Sequence, residues 1–378
     1  MPFQPELLHW KPGTGHRTRI SAAGVGKMET NFSSPVNAPE EILDASSGYH
    51  AIEIYLLVSF GIIFVLGFLG NGLVIWVTGF RMARTVTTLC YLNLALNDFS
   101  FTVTLPFLMV LTAMRGQWPF GWFLCKVVFT MGDMNLFGSV FLIAFIALDR
   151  CICVLHPVWA QNHRTVTLAR IVIIVPWILA LVLTFPVFFF VTIESDEKNN
   201  TYCLSNTEFF SDNDEMSWKM ISTTVAAMGI IQFVIGFIMP MSIIAICYGL
   251  IAAKIHKKVM INSSRPLQVL TAVMVSFFLC WFPFQLILFL GRIWIKEIAL
   301  EGKYSIILLL RVLTTPLAFL NSCLNPILYV FMGQDFRRRL IHSLPASLER
   351  ALIEDSAETI DTTTKSASPP TVAQLQEM

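Results

Sequence analysis

Along the 378 residues, long uncharged apolar stretches alternate with short segments that carry the charge. A helix that crosses the bilayer core needs about 20 apolar residues. Seven stretches reach that length: Ile54–Thr78, Leu89–Met114, Val127–Leu148, Ile171–Ile193, Met220–Ile251, Val269–Gly291 and Val312–Met332. The second holds one acid, Asp98, and the third holds one, Asp133; the other five hold no charge. Prolines fall inside most of them, at Pro106, Pro176, Pro186, Pro240, Pro283, Pro316 and Pro326. A proline kink is tolerated in lipid because neighbouring helices and waters can satisfy the carbonyl it frees.

The pattern therefore predicts an all-α membrane protein, a seven-transmembrane helix bundle over residues 54–332. Residues 1–53 are polar and mixed, without an apolar stretch long enough for a signal peptide, so span 1 is expected to act as the insertion signal. Residues 333–344 read as a short amphipathic cytoplasmic helix, an eighth helix. Phe336, Leu340 and Leu344 repeat at i, i+4 and i+8, Arg337–Arg339 lie around the polar side, and Pro345 stops it. Such a helix lies among the lipid headgroups. The tail, residues 345–378, is rich in Ser, Thr, Asp and Glu and reads as disordered.

Orientation follows from the basic residues. Arg81, Arg84, Arg150, Arg164, Arg170, Lys254, Lys257, Lys258, Arg265 and Arg337–Arg339 fall on one side, whereas the loop after span 4 carries Glu194, Asp196, Glu197, Glu208, Asp212, Asp214 and Glu215. The N-terminus is expected outside and the C-terminus in the cytoplasm. Asn31 and Asn199 begin glycosylation sequons on the outer side; Asn262 begins a third that would face the cytoplasm and stay unmodified.

Composition agrees with a membrane chain. Hydrophobic residues make up 55%, charged residues 13%, and mean hydropathy is +0.66. The formal net charge of +1 excludes a nucleic-acid binder driven by bulk positive charge, and the apolar content excludes a disordered protein. Of the eight cysteines, Cys125 and Cys203 lie outside, where an oxidising milieu favours pairing them; the other six lie in spans or near the cytosol and are expected free.

Ionisable groups at membrane depth are costly and are functional by default. Asp98 could meet Asn71 of span 1, Asn135 and Ser139 of span 3, and Asn321, Ser322 and Asn325 of span 7. One carboxylate among such oxygen-bearing side chains suits sodium as an allosteric ion; the alternative is a hydrogen-bonded network that only packs the spans. Asp149-Arg150-Cys151 ends span 3, where Asp149 can pair with Arg150 and hold it against the helix. Cys280-Trp281-Phe282-Pro283 sets a bulky ring one turn before a kink, and Asn325-Pro326-Ile327-Leu328-Tyr329 sets an amide, a kink and a phenol near the inner end of span 7. No nucleophile and base occur as a recognisable set, and the seven histidines form no metal pattern, so an enzyme and a cofactor are not expected. A transporter or channel would use the same midplane polar residues, but the spans show no evident internal repeat.

Asn71, Asp98, Arg150, Trp177, Pro240, Pro283 and Pro326, one per span and in order, resemble the marker residues of the rhodopsin-like G-protein-coupled receptors. Asn71-Gly-Leu-Val-Ile-Trp76, Trp118-Pro-Phe-Gly-Trp-Phe-Leu-Cys125, Asn135-Leu-Phe-Gly-Ser-Val140, Leu148-Asp-Arg-Cys151 and Phe331-Met-Gly-Gln-Asp-Phe336 resemble, more closely, the formyl peptide receptors of phagocytes. Sequences of that family begin near Met28, which leaves residues 1–27 as an extension.

The resemblance implies a plasma-membrane receptor for an extracellular peptide or small chemoattractant. It further implies coupling to a Gi-type G protein, an output of chemotaxis and inflammatory responses, and membrane lipids as the surrounding partner. Asp149, Arg150, Tyr248, Pro283 and Tyr329 would form the coupling and switch set. Residues 254–265 hold no acid, which leaves Asp149 to restrain Arg150 and implies appreciable basal activity. Ser356, Thr359, Thr362, Thr363 and Thr364 lie among acids in the tail and suit phosphorylation and arrestin binding.

The formyl-methionyl site of the family resembles a trio of one span-3 aspartate and two span-5 arginines. Asp133 matches, but the arginine positions hold Met228 and Gln232. Together with Trp281 these are the candidate ligand contacts. Asp133 is then to be satisfied by Lys126 or Arg311, or left for a cationic ligand group. A chemosensory member of the family, tuned away from formyl peptides, is the alternative reading.

Overall fold

The computed structural model describes residues 38–196, 199–205, 215–258, 265–293 and 304–332. Among the described residues, seven helices are long and apolar enough to cross a membrane: His50–Arg81, Val86–Ala113, Gly121–Leu155, Val166–Phe190, Ala226–Lys254, Met274–Gly291 and Ile306–Leu328. They correspond one to one with the stretches expected from the hydropathy pattern and are called spans 1–7 in that order. The predicted eighth helix, the sequon at Asn31, the extension 1–27 and the tail sites Ser356 to Thr364 lie outside the described residues.

Burial separates the spans into a centre and a rim. More than half of the most apolar window is buried in spans 2 and 3, against 22–28% in spans 1, 4, 5 and 6, whose outer faces therefore meet lipid. Span 3 packs on spans 2, 4 and 5, span 6 on span 7, and span 1 on spans 2 and 7. The core between them is aromatic, with Phe60, Phe101, Phe137, Phe237, Phe277, Trp281 and Phe319 all fully buried.

Local sequence explains the departures from straight helices. Span 2 was expected as one helix but divides into Val86–Thr102 and Leu105–Ala113. Pro106 sits at the start of the second piece; it has no N–H to give the Thr102 carbonyl four residues back, and its ring crowds that carbonyl, so the first piece ends at Thr102. Pro186, Pro283, Pro316 and Pro326 remain inside continuous helices. Span 5 carries a π-helical turn, Val234–Ile238, just ahead of Pro240. Within it the backbone of Gly236 lies so close to the Phe137 ring of span 3 that a Cβ there would collide with it.

The outer face holds a hairpin that the hydropathy pattern did not foresee. β1 (Val191–Ser195) pairs antiparallel with β2 (Thr201–Ser205), with Cys203 opposite Ile193. A Cys125–Cys203 disulfide, with Cα atoms 5.8 Å apart, ties the hairpin to the outer end of span 3. Trp118 N–H donates to Thr201 O at 2.7 Å and Thr201 Oγ1 to Trp118 O at 2.6 Å, fixing the same hairpin to the loop after span 2. The six remaining cysteines are free, as expected.

Candidate functional site

Two polar clusters lie on the axis of the bundle, one at the midplane and one at the end where the basic residues gather.

At the midplane, Asp98 is fully buried. Its Oδ1 accepts from Asn135 Nδ2 at 2.9 Å and from Ser139 Oγ at 3.4 Å, and its Oδ2 accepts from Asn325 Nδ2 at 2.8 Å. Ser322 Oγ donates to Asn135 Oδ1 at 3.1 Å. Spans 2, 3 and 7 therefore meet on one carboxylate whose donors are neutral amides and a hydroxyl. A buried charge needs such partners or it is lost to protonation.

Two of the expected members behave differently. Asn71 turns to backbone, donating to Gly67 O at 2.9 Å and to Ser322 O at 2.7 Å. Asn321 is fully buried, yet neither end of its amide has a hydrogen-bond partner. A residue the sequence did not single out, Asn97, joins instead: its Nδ2 donates to Asn135 O at 3.1 Å and to Ser139 Oγ at 3.0 Å. Gly138 makes room for it, because a Cβ there would stand 2.5 Å from Asn97 Oδ1.

At the basic end, the expected Asp149–Arg150 ion pair is present but long, and Asp149 has a closer partner. Asp149 accepts from Arg164, Nε to Oδ1 at 2.7 Å and Nη2 to Oδ2 at 2.8 Å, while Arg150 Nε stands 3.8 Å from Asp149 Oδ2. Arg150 Nη2 donates to Thr87 Oγ1 of span 2. Local caps place both partners. Thr85 caps span 2, exchanging hydrogen bonds with Thr88 through both residues' side chains, which sets Thr87 at the first turn. Thr165 caps span 4 by accepting from Leu168 N–H at 3.2 Å, and Arg164 directly precedes it. The loop between spans 3 and 4 folds as a short helix, Pro157–His163, that carries Arg164 back to Asp149. Hydrogen bonding to Asp149 raises the Arg164 pKa further above its ordinary value. A bidentate carboxylate–guanidinium pair is the stronger geometry, so Arg164 holds Asp149 more closely than the sequence neighbour Arg150 does.

In the outer half, Asp133 is only 4% exposed. Neither cation expected to neutralise it does so: Lys126 Nζ donates to Phe188 O at 2.8 Å and lies over the Trp122 and Phe188 rings, and no ion pair joins Asp133 to Lys126 or Arg311. Lys126 instead serves the orphan carbonyls at the end of span 4, the natural place for a cation. Gln232 Nε2 donates weakly to Leu183 O at 3.4 Å, and Met228 is half-buried. Trp281 is fully buried, its indole N–H without a partner, 6.3 Å from the Phe277 ring and 6.1 Å from Phe284. Pro283 follows it within the same helix. Tyr248 is half-buried against the core; the side chain of Tyr329 lies outside the described residues. Asn199 is exposed in the hairpin turn, with a left-handed φ of 61°.

Seven spans, three of which meet on a buried carboxylate, with an arginine at one end of span 3, define a seven-helix receptor; the family model of the "7 transmembrane receptor (rhodopsin family)" matches residues 70–329. The chain is 66% identical to N-formyl peptide receptor 2 of Homo sapiens over 351 residues, 93% of this chain and all of the relative. It is 59% identical to formyl peptide receptor 2 of Mus musculus, over 92% of this chain and 99% of the relative. Against N-formyl peptide receptor 3 of Homo sapiens it is 58% identical, over 93% of this chain and all of the relative. The chain belongs to the formyl peptide receptors of the rhodopsin family, and is a multi-pass membrane receptor, not an enzyme.

Proposed function

We propose that this receptor recognises an extracellular peptide or small chemoattractant and signals through a Gi-type G protein to chemotaxis and inflammatory responses. The observation that carries the reading is the extensive identity to receptors whose names specify formyl peptides, together with the two axial clusters. The N-terminus faces outward and the basic end of the bundle faces the cytoplasm.

Ligand contacts near Asp133, Met228, Gln232 and Trp281 bias span 6 about Pro283. The mechanism is a population shift between two arrangements of the bundle. Outward movement of span 6 opens a crevice beside Arg150, and Tyr248 and Tyr329 close around it. Sodium at Asp98, with Asn135, Ser139, Ser322 and Asn325 and with Asn321 nearby, favours the resting arrangement. Phosphorylation of the tail sites recruits arrestin.

A second reading has its own observation. Asp133 is buried with no hydrogen bond or ion pair among the described residues, and the positions opposite it in the family pattern are Met228 and Gln232. That environment suits a ligand offering an amine, an amide or an apolar group, so the natural agonist is a chemosensory or unformylated one. A nucleotide-exchange screen on reconstituted Gi with formylated, unformylated and cationic peptides tests both. Exchange by any of the three supports coupling, the identity of the active class decides between the readings, and silence towards Gi alongside activation of another G-protein class overturns the Gi assignment.

A further inference from the structure

The sequon Asn199-Asn200-Thr201 is built into the turn and second strand of the hairpin that follows span 4. Asn199 is exposed, and its backbone N–H donates to Asp196 O at 3.0 Å. Asn200 gives its backbone N–H to Asp196 Oδ1 at 2.8 Å and its Nδ2 to Asp196 Oδ2 at 2.9 Å. Thr201 stands opposite Ser195 in the ladder. Its hydroxyl donates to Trp118 O at 2.6 Å and its carbonyl accepts from Trp118 N–H at 2.7 Å. Two residues on, Cys203 is bonded to Cys125.

A sequon needs two groups: the amide nitrogen that takes the sugar, and the hydroxyl two residues later that the transferring enzyme reads. In the closed hairpin the amide is open and the hydroxyl is not. A threonine hydroxyl has one proton to give, and Thr201 gives it to the loop after span 2. To free it, β2 must leave Trp118, and Cys203 ties that strand to span 3. The order of synthesis decides when this lock can form. Trp118 precedes Thr201 by 83 residues and Cys125 precedes Cys203 by 78, so both partners exist before the sequon does. At 5–20 residues per second the chain from Asn199 to Cys203 takes about 0.2–0.8 s to make. Disulfide formation takes seconds to hours. The interval in which Asn199 is an acceptor is therefore set by the oxidation of one cysteine pair.

We propose that Asn199 accepts an N-linked glycan only while the hairpin is open, and that closure of the Cys125–Cys203 bond ends that window, so the mature receptor is a mixture of chains with and without sugar at Asn199. The step joins Asn199 Nδ2 to the first sugar carbon of a lipid-diphosphate oligosaccharide. The bond from that carbon to the diphosphate oxygen breaks, the lipid diphosphate leaves, and one amide proton passes to a base of the enzyme. The proposal rests on the outward placement of the loop after span 4 given above. Asn31 is the internal control, because the first cysteine of the chain is Cys90 and no cysteine lies near that sequon in sequence.

The full-length receptor is expressed in cultured animal cells and newly made chains are collected within minutes of synthesis. Glycans are removed by an amidase in heavy-oxygen water, so that each occupied asparagine is read by peptide mass spectrometry as a labelled aspartate. Wild-type Asn199 is expected to be labelled in only part of the chains, and Asn31 in nearly all. Cys125→Ala leaves the sequon intact and should raise Asn199 occupancy about twofold, and brief dithiothreitol treatment of wild-type cells during synthesis should do the same, with Asn31 unchanged in both. Newly made chains report the transfer whether or not the variant later folds, and the dithiothreitol arm needs no variant at all. Full occupancy of Asn199 in the wild type, or occupancy that neither Cys125→Ala nor dithiothreitol moves, overturns the proposal. Label at Asn262 with none at Asn31 would overturn the orientation on which it rests, and so is told apart from a failure of the hairpin argument. Neither agonist nor G protein enters the measurement, so the signalling assignment stands or falls separately.

Discussion

Asp149 gives both carboxylate oxygens to Arg164, fifteen residues on, at 2.7 and 2.8 Å, and leaves its neighbour Arg150 at 3.8 Å. Arg150 is then held by that long ion pair and by the hydroxyl of Thr87. Arg150, the proposed coupling residue, is thus restrained by a lengthened ion pair, for a reason that lies in a loop and not in span 3.

Arg164→Ala should tighten the Asp149–Arg150 pair and lower agonist-independent nucleotide exchange. Hydrogen bonds to charged groups are worth about 1.5–3 kcal/mol when well buried, but this pair is partly exposed and screened, so about 1 kcal/mol, or a fivefold fall, is the reasonable size. Arg164→Lys, which keeps the charge without the fork, should fall between. Exchange on reconstituted Gi without agonist is the measurement, with Arg150→Ala as the inactive reference. An unchanged or increased basal rate in Arg164→Ala would contradict the restraint described.

Cys203→Ala should release the hairpin. The bond closes a loop of 78 residues in sequence, and removing such a constraint costs about 2–5 kcal/mol in small domains. The loss here should appear as reduced ligand affinity and a lower melting temperature, with the Trp118–Thr201 hydrogen bonds too weak to hold β2 alone. Cys125→Ala should match it, and the double variant should add nothing further. Additive losses would show that the two cysteines act separately.

The seven spans, the free and paired cysteines and the carboxylate at Asp98 were legible in the sequence because each rests on a local or compositional rule: run length, exposure to an oxidising side, the cost of a charge in lipid. Partner choice was not. Asn71 and Asp98 share a cluster in sequence terms, yet Asn71 satisfies its amide on Gly67 O and Ser322 O, and Asn97 takes the place beside Asn135. Nothing in the order of residues marks that the Asn97 amide joins the Asp98 carboxylate in facing span 3. Arg164 was invisible for a similar reason. Adjacent residues on a helix point about 100° apart, so Asp149 and Arg150 face different neighbours, and which arginine reaches the acid depends on how the Pro157–His163 turn brings the chain back. Lys126 read as a counter-ion for Asp133 because both lie on span 3, but the end of span 4 offered it bare carbonyls nearer by.

Sodium should lower agonist affinity through Asp98. The carboxylate receives hydrogen bonds from neutral Asn135, Ser139 and Asn325, so its charge is not cancelled by a side-chain cation. An ion that prefers this arrangement opposes an agonist that prefers the other, and the coupling is reciprocal. Replacing sodium with a large organic cation should raise agonist affinity about 5- to 150-fold, the usual range for one to three kcal/mol of coupling. Asp98→Asn should remove the dependence while keeping the hydrogen-bonded frame. A wild-type affinity indifferent to the cation would leave the cluster with a packing role alone.

Asp133 is 4% exposed and carries no hydrogen bond or ion pair among the described residues, while Lys126 is engaged at Phe188 O. The resemblance to formyl peptide receptors implies two span-5 arginines facing this acid; here the positions hold Met228, half-buried, and Gln232, whose amide reaches Leu183 O at 3.4 Å. A peptide carboxylate or formyl oxygen entering beside Asp133 would therefore meet an acid without the cations that make such a contact favourable. Short formyl peptides should act weakly or not at all, and ligands that donate a hydrogen bond or present apolar surface should be preferred. Arg at both positions, Met228→Arg with Gln232→Arg, should restore formyl-peptide potency by about 1.5–3 kcal/mol per charged hydrogen bond formed. Asp133→Asn should then separate the two effects. It removes the acid that a cationic ligand needs, so it should cost the wild-type receptor its response to amine-bearing peptides. Concentration–response curves of nucleotide exchange for one formylated and one amine-bearing peptide, across these variants, are the measurement, and a wild-type receptor already responding to nanomolar formyl peptide would refute the inference.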